Sequence, residues 1–291
     1  MINANLVKDL REATGAGMMD CKKALEACNG DIDASIDWLR EKGIATAGKK
    51  ASRIAAEGLA NIYIDKNKAI IVELNSETDF VSKNEEFKAL LDTIGNTILK
   101  NNVSDLEAAL ALTSEEGTIN DLIVAKTAKI GEKLSLRRFD TIEKKDAEVF
   151  GSYLHTGGKI AALTVLTGTN GEVAKDIAMQ VAAMKPQYLF AADVPEDVIA
   201  HEREILKNEA IEEGKPADIA EKMVEGRIKK YFKEICLVEQ PFIKDGDIDV
   251  ATYLKNNNTE ILNMIRYEVG EGMEKRSDNF AEEVMSQINK D

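Results

Sequence analysis

Apolar positions in the first forty residues recur at helical spacing. Leu6, Val7 and Leu10 form one stripe, Met18, Cys21, Leu25 and Cys28 a second, and Ile32, Ile36 and Leu39 a third. Glycines at 15, 30 and 43 follow the three runs, and Asp31 stands where a cap for the third helix is needed. The pattern predicts a small three-helix module over residues 1–50. The run ATAGKKASRIAAEG, 45–58, is small, basic and poorly apolar, which suits a linker or a short exposed helix, with 51–58 as the linker proper.

From residue 59 the period shortens. LANIYID and AIIVELN, joined by KNK, predict a β-hairpin. A helix carrying Phe87, Leu90, Leu91, Ile94 and Ile98 follows, opened either by a Ser82-x-x-Glu85 capping box or one turn earlier by Thr78 or Asp79. Further helical sequence and a strand-like LSLRRFDTI complete this half, 59–140. The scheme then recurs as FGSYLHT, a GGK turn, IAALTVLT and a helix with Val173, Ile177, Val181 and Met184 on one face. Tyr63-Ile64 superposes on Tyr153-Leu154, so the chain carries an internal duplication of a β-β-α unit, too long in period for a solenoid. The second half takes in 141–190 and 236–275. It is interrupted at 191–235 by two heavily charged helical runs that bury only a narrow seam, an αα-hairpin. Phe280, Val284 and Ile288 mark a terminal amphipathic helix over 276–291. The fold class is α+β.

Charge changes the picture of what such a body can bind. Thirty-eight Lys and Arg against 52 Asp and Glu give a formal charge of −14, which opposes a nucleic-acid surface. Residues 1–56 hold nine basic and eight acidic side chains, so the acidity belongs to the body and not to the head. No apolar run is long enough to span a membrane, and the start lacks the layout of a signal peptide, so a cytosolic protein is expected. Cys21, Cys28 and Cys236 form no CxxC, and His155 and His201 do not complete a zinc set, so no metal and no cofactor are expected.

Motifs for chemistry are sparse. Gly15-x-Gly17 has Asp20 in the third glycine's place and follows a helix rather than a strand, and no GxxxxGK[ST] occurs. Cys21 lies beside Lys22 and Lys23, a setting that lowers a thiol pKa, but it shares a stripe with Met18, Leu25 and Cys28. His155 has no Ser, Cys or paired carboxylate beside it in sequence. The chain is therefore expected not to be an enzyme.

The segment LNSETDFVSKNEEF, 74–87, is different. In one reading Asp79 favours a helix N-terminus and Phe80 staples inward. In the other, adjacent large residues Phe80 and Val81 do not both face one core stripe, and one of them is presented outward. An outward aromatic beside an acid is a contact feature, with no nucleophile or proton relay in it. The duplicate passage, LTGTNGEVAKD, has no such pair.

Several long runs resemble one family: LREATGAGMMDCKKALEACNGDIDASIDWLR, TDFV at 78–81, KIGE at 129–132, GSYLH at 151–155, GKPADIAEKMVEGR at 214–227, QPF at 240–242 and IRYEVGEGMEK at 265–275. The chain resembles bacterial translation elongation factor Ts, the guanine-nucleotide exchange factor for elongation factor Tu. The resemblance implies a ubiquitin-associated-like head, a duplicated core, a projecting antiparallel coiled coil at 191–235 and a C-terminal helix. It implies that Arg11, Met18 and Met19 touch the GTPase domain of the partner. Two adjacent methionines at a helix start suit that role, one packing inward while the other offers a soft apolar surface. It also implies that His155 meets the partner's third domain, and that the terminal helix led by Phe280 returns to the GTPase domain. Thr78, Asp79, Phe80 and Val81 would enter near the partner's Mg²⁺ site and dislocate the ion, releasing GDP so that GTP binds. Two other classes compete, a general ubiquitin-associated-type adaptor acting through the head alone and a thiol enzyme acting through Cys21.

Overall fold

The computed structural model describes residues 3–14, 16–214 and 216–274. The stop expected at Gly15 and the terminal helix expected over 276–291, with Phe280, lie outside the described residues. In chain order the elements are α1 (Ala4–Thr14), α2 (Met18–Ala27), α3 (Ile32–Lys50), β1 (Glu57–Asp65), β2 (Lys68–Ser76), α4 (Asp79–Ser82), α5 (Glu85–Leu99) and α6 (Leu106–Ala111). They continue as β3 (Thr113–Ser114), β4 (Gly117–Thr118), α7 (Ile119–Ile130), β5 (Ser135–Glu143), β6 (Glu148–His155), β7 (Ile160–Thr167), α8 (Gly171–Met184), α9 (Glu196–Glu212) and α10 (Ala217–Ile235). The last are β8 (Pro241–Phe242), β9 (Asp245–Asp249), α11 (Val250–Asn256) and β10 (Ile261–Glu268), with 3-10 turns at Ala191–Asp193 and Leu237–Glu239. The mixture is α+β.

Two three-stranded sheets have the same order, β1-β2-β5 and β6-β7-β10. In each, a hairpin is followed by a helix from its second strand, α5 or α8, and a later strand joins beside that second strand. The repeated β-β-α pattern in the sequence is thus matched by a repeated sheet order. The chain falls into two compact units, one of residues up to Ala60 with Val72–Phe139 and the chain from Glu268, the other of Asn61–Ile71 with Asp140–Tyr267.

In the first unit, Leu10, Cys21, Ala24 and Leu25 are fully buried among Leu6, Val7, Ile32, Trp38 and Leu39. Asp31 caps α3 by accepting from the Ala34 N–H at 2.9 Å, as its place in the sequence implied. Two details differ from the periodicity. Ile36 is exposed, and Ser35, its hydroxyl turned back to the Asp31 carbonyl, takes the inward position. Helix α3 also does not stop at Gly43. That glycine is buried where α3 packs on α7, with Ala128 beside it, and the helix runs a further seven residues because this packing outweighs a propensity cost of ~1 kcal/mol. Arg40 to Asp121 at 3.1 Å and the Lys50 ammonium on the Gly131 carbonyl fasten the same pair of helices. The second strand, β2, is buried along nearly its whole length, and α5 turns Phe87, Leu90, Leu91, Ile94 and Ile98 inward.

Strand β2 also carries a buried carboxylate. Glu73 is fully buried and accepts from Arg137 Nη1 at 2.9 Å, Arg138 Nε at 2.6 Å and the Gly270 N–H at 2.9 Å. Burial alone pushes its pKa up, but the Gly270 amide and the two guanidinium groups outweigh that, and the net shift is downward from the ordinary 4.5.

In the second unit β6 and β7 pair antiparallel from Glu148↔Thr167 to His155↔Ile160. Ala162, Leu166, Val173, Ile177, Val181, Leu237 and Phe242 fill its main core. Gly151 is required on β6, because a Cβ there would overlap the Ala174 carbonyl of α8. Helices α9 and α10 form a hairpin. The start of α9 and the end of α10 share a cluster of Val194, Val198, Ile199, Tyr231, Phe232 and Ile235, and Arg203 pairs with Glu225 at 3.2 Å farther along. Elements β8, β9 and α11 carried no clear periodic signal and were not anticipated. No helix among the described residues is long and apolar enough to cross a membrane.

Candidate functional site: a braced turn that presents Phe80

The turn after β2 resolves the two readings of residues 78–81. Phe80 is 80% exposed while Val81, next to it, is 9% exposed. A single helical turn, α4, separates the two directions. The expected Ser82-x-x-Glu85 box does not form. Ser82 is buried and its hydroxyl donates back to the Asp79 carbonyl at 2.8 Å, so Asn84 caps α5 instead, accepting from the Glu86 N–H at 2.8 Å. Lys83 bridges Asp79 at 2.6 Å and stands 5.9 Å from the Phe80 ring centre, an exposed arrangement of small energetic weight.

Thr78 occupies the N-cap position of α4 but makes no capping hydrogen bond with its side chain. Its amide and hydroxyl both donate to Glu132, at 3.0 and 2.7 Å. The residue before it, Glu77, accepts from the Lys133 N–H at 2.6 Å and from Arg53 Nη1 at 3.2 Å, and the Ser76 hydroxyl donates to the Thr78 carbonyl at 2.9 Å. Lys133 in turn donates to the carbonyls of Ala51 and Arg53 at 2.7 and 2.9 Å. The chain reaches this position because Gly131 ends α7 at a φ of 88°, a left-handed cap that turns Glu132 and Lys133 back toward the turn. Glu132 was not singled out as a site residue, although it ends the KIGE run. Carboxylates are too abundant in this chain for one to stand out, and its partner lies 54 residues away.

The head presents a second surface. Met18 is 59% and Met19 63% exposed, so neither methionine packs inward; the expected division between them does not hold, because α2 buries Cys21, Ala24 and Leu25 and both methionines stand clear of that stripe. Arg11 is exposed at the end of α1. Cys21 is fully buried, its thiol donating to the Ala16 carbonyl at 3.7 Å, an arrangement of a packing residue rather than an accessible nucleophile.

In the second unit His155 closes β6 and is exposed. Its carbonyl accepts from the amides of Gly158 and Lys159, both at 3.1 Å, in a turn where Thr156, Gly157 and Gly158 all have positive φ. Its ring stacks on Tyr153 with centroids 6.0 Å apart, and Leu154 between them is 43% exposed. None of these surfaces joins a nucleophile to a base.

The sequence pattern that defines "Elongation factor TS" matches residues 77–271. The chain is also 53% identical over 289 residues to the elongation factor Ts of Limosilactobacillus fermentum (strain NBRC 3956 / LMG 18251), covering 99% of each protein. The chain belongs to the elongation factor Ts family. As a member of the elongation factor Ts family it is a translation factor. The family match begins at Glu77, on the turn that carries Phe80, and takes in Glu132 and His155.

Proposed function

We propose that this elongation factor Ts family member is a guanine-nucleotide exchange factor for elongation factor Tu, working in the cytoplasm during translation elongation. The observation that carries the reading is the exposed Phe80 ring on a turn held by four side chains. A large ring left in water on an ordered turn costs hydration free energy without any return inside the free protein, so its use lies in a partner. Inserted between packed helices near the Mg²⁺ of a GTPase, such a ring shifts the groups that hold the ion. Loss of the ion weakens the grip on the nucleotide's phosphates. Thr78 and Val81 hold the turn and Asp79 adds a charge at its rim.

Exchange then follows from linkage. The ratio by which the bound exchange factor weakens nucleotide binding is the ratio by which bound nucleotide weakens binding of the exchange factor, so incoming GTP expels the factor as the factor expelled GDP. No covalent step, cofactor or resident metal is involved, and nucleic acid and membrane take no part. Arg11, Met18 and Met19 supply a soft apolar contact with the GTPase domain, His155 a contact with the third domain, and the C-terminal helix led by Phe280 a further one. The division that goes with this reading is a ubiquitin-associated-like head over 1–50, a linker at 51–58, core halves at 59–140 and at 141–190 with 236–275, a coiled-coil insertion at 191–235 and a terminal helix at 276–291.

The test is direct. Elongation factor Tu loaded with fluorescent GDP is mixed with this protein and excess unlabelled GDP, and the signal decay is timed. The expected result is release accelerated in proportion to added protein; release at the intrinsic rate at every concentration rules the reading out.

A further inference from the structure

The direction of Phe80 is not set by α4 itself. A helix of four residues has too few internal hydrogen bonds to hold its own shape, since nucleation costs more than one turn returns. The described bonds fix the chain just before it, and one side chain makes two of them. Both oxygens of Glu132 are committed to Thr78, Oε2 to the amide at 3.0 Å and Oε1 to the hydroxyl at 2.7 Å. Thr78 thereby gives up the capping bond its position would otherwise make. Glu132 is itself held by its neighbours, because Lys133 is fastened through its amide to Glu77 and through its ammonium to Ala51 and Arg53.

We propose that Glu132 is a positioning residue for exchange, a carboxylate that fixes the angle at which Phe80 leaves the surface and acts on the partner only through that ring. The proposal rests on the exchange reading above. A wedge delivers its effect only when it arrives in one orientation; a turn free to swing spreads the ring over many directions, and the ordering is then lost from the productive encounter. Glu132 reaches no reacting group.

The experiment is a double-mutant cycle on GDP release from elongation factor Tu, using Glu132→Ala, Phe80→Ala and the pair, each at saturating exchange factor. The expected result is a release rate about tenfold lower for Glu132→Ala with Phe80 present, and a change under about twofold when Phe80 is already alanine, a coupling of about 1.0–1.4 kcal/mol. Equal losses in both backgrounds would mean that Glu132 supports the fold or touches the partner itself, and would overturn the proposal. So would an unchanged rate for Glu132→Ala alone. If Phe80→Ala releases GDP at the parent rate, the exchange reading fails instead and takes the positioning role with it. Should Glu132→Ala not fold, Thr78→Val removes only the hydroxyl donor to Oε1 and enters the same cycle under the same criteria.

Discussion

Replacing Phe80 by alanine removes a ring that is 80% exposed. A phenylalanine buries roughly 150–250 Å² when fully enclosed, so only about 40 Å² of this ring is out of water in the free protein. At ~25 cal/mol per Å² the loss of stability is at most ~1 kcal/mol, and the better helix propensity of alanine offsets part of it. Phe87, seven residues on and fully buried, is the internal control: Phe87→Ala is expected to cost about 3–5 kcal/mol. In exchange the ranking reverses. The remaining ~160 Å² of Phe80, if it enters a dry pocket on the partner, is worth up to ~4 kcal/mol, close to three decades in rate. The expected outcome for Phe80→Ala is an unfolding midpoint near that of the parent and GDP release slowed by at least about tenfold. Thermal unfolding and release of fluorescent GDP from elongation factor Tu, run on the same preparations, read both. A Phe80→Ala protein that unfolds like Phe87→Ala, or that exchanges at the parent rate, refutes the reasoning.

Three further outcomes follow from the same structure. Met18→Asp with Met19→Asp places two charges on the exposed first turn of α2 and is expected to weaken the complex with elongation factor Tu by about tenfold or more in a titration, with helical content unchanged; equal affinity would limit the head to a spacer. Glu73→Gln leaves Arg137 and Arg138 without their carboxylate and is expected to cost about 3 kcal/mol at neutral pH. Because the folded-state pKa of Glu73 lies below its ordinary 4.5, its contribution is complete above that value and is lost as pH falls through the lowered folded value. The parent's stability is therefore expected to drop on the acid side more steeply than that of Glu73→Gln, and parallel acid limbs in denaturant titrations would contradict this. Gly151→Ala forces the Ala174 carbonyl and α8 away from β6 and is expected to cost about 1–3 kcal/mol, read as a lowered denaturant midpoint.

Where local rules and packing agree, the sequence was readable. Asp31 caps α3, and Gly30, at a φ of 88°, ends the turn before it, both at positions marked by residue type alone. The recurrence of Tyr-aliphatic pairs at 63–64 and 153–154 marked a duplicated β-β-α unit, and the two sheets share one strand order. Local rules failed where a distant element supplied the deciding contact. Gly43 reads as a helix end until α7 packs on it, and Ser82 reads as a cap until burial turns its hydroxyl back to Asp79. Strands β8 and β9, two and five residues long with β9 opening on a polar DGD, have no period to detect. At the site, the adjacency of Phe80 and Val81 was enough to argue that one faces out. The brace beneath them depends on residues 53, 132 and 133 meeting 76–78, and no spacing rule encodes that.

Glu73 and Gly270 are 197 residues apart, yet the amide of one is a ligand of the other's carboxylate. This bears on the order in which the molecule can be assembled at the ribosome. A nascent chain that has emerged only as far as β5 already contains β2, the wedge turn and its brace, but lacks the last amide that makes the Glu73 charge tolerable indoors. The contacts of the first unit are therefore complete only once nearly the last of its described residues has been made, and the residues of the second lie between those pieces in sequence.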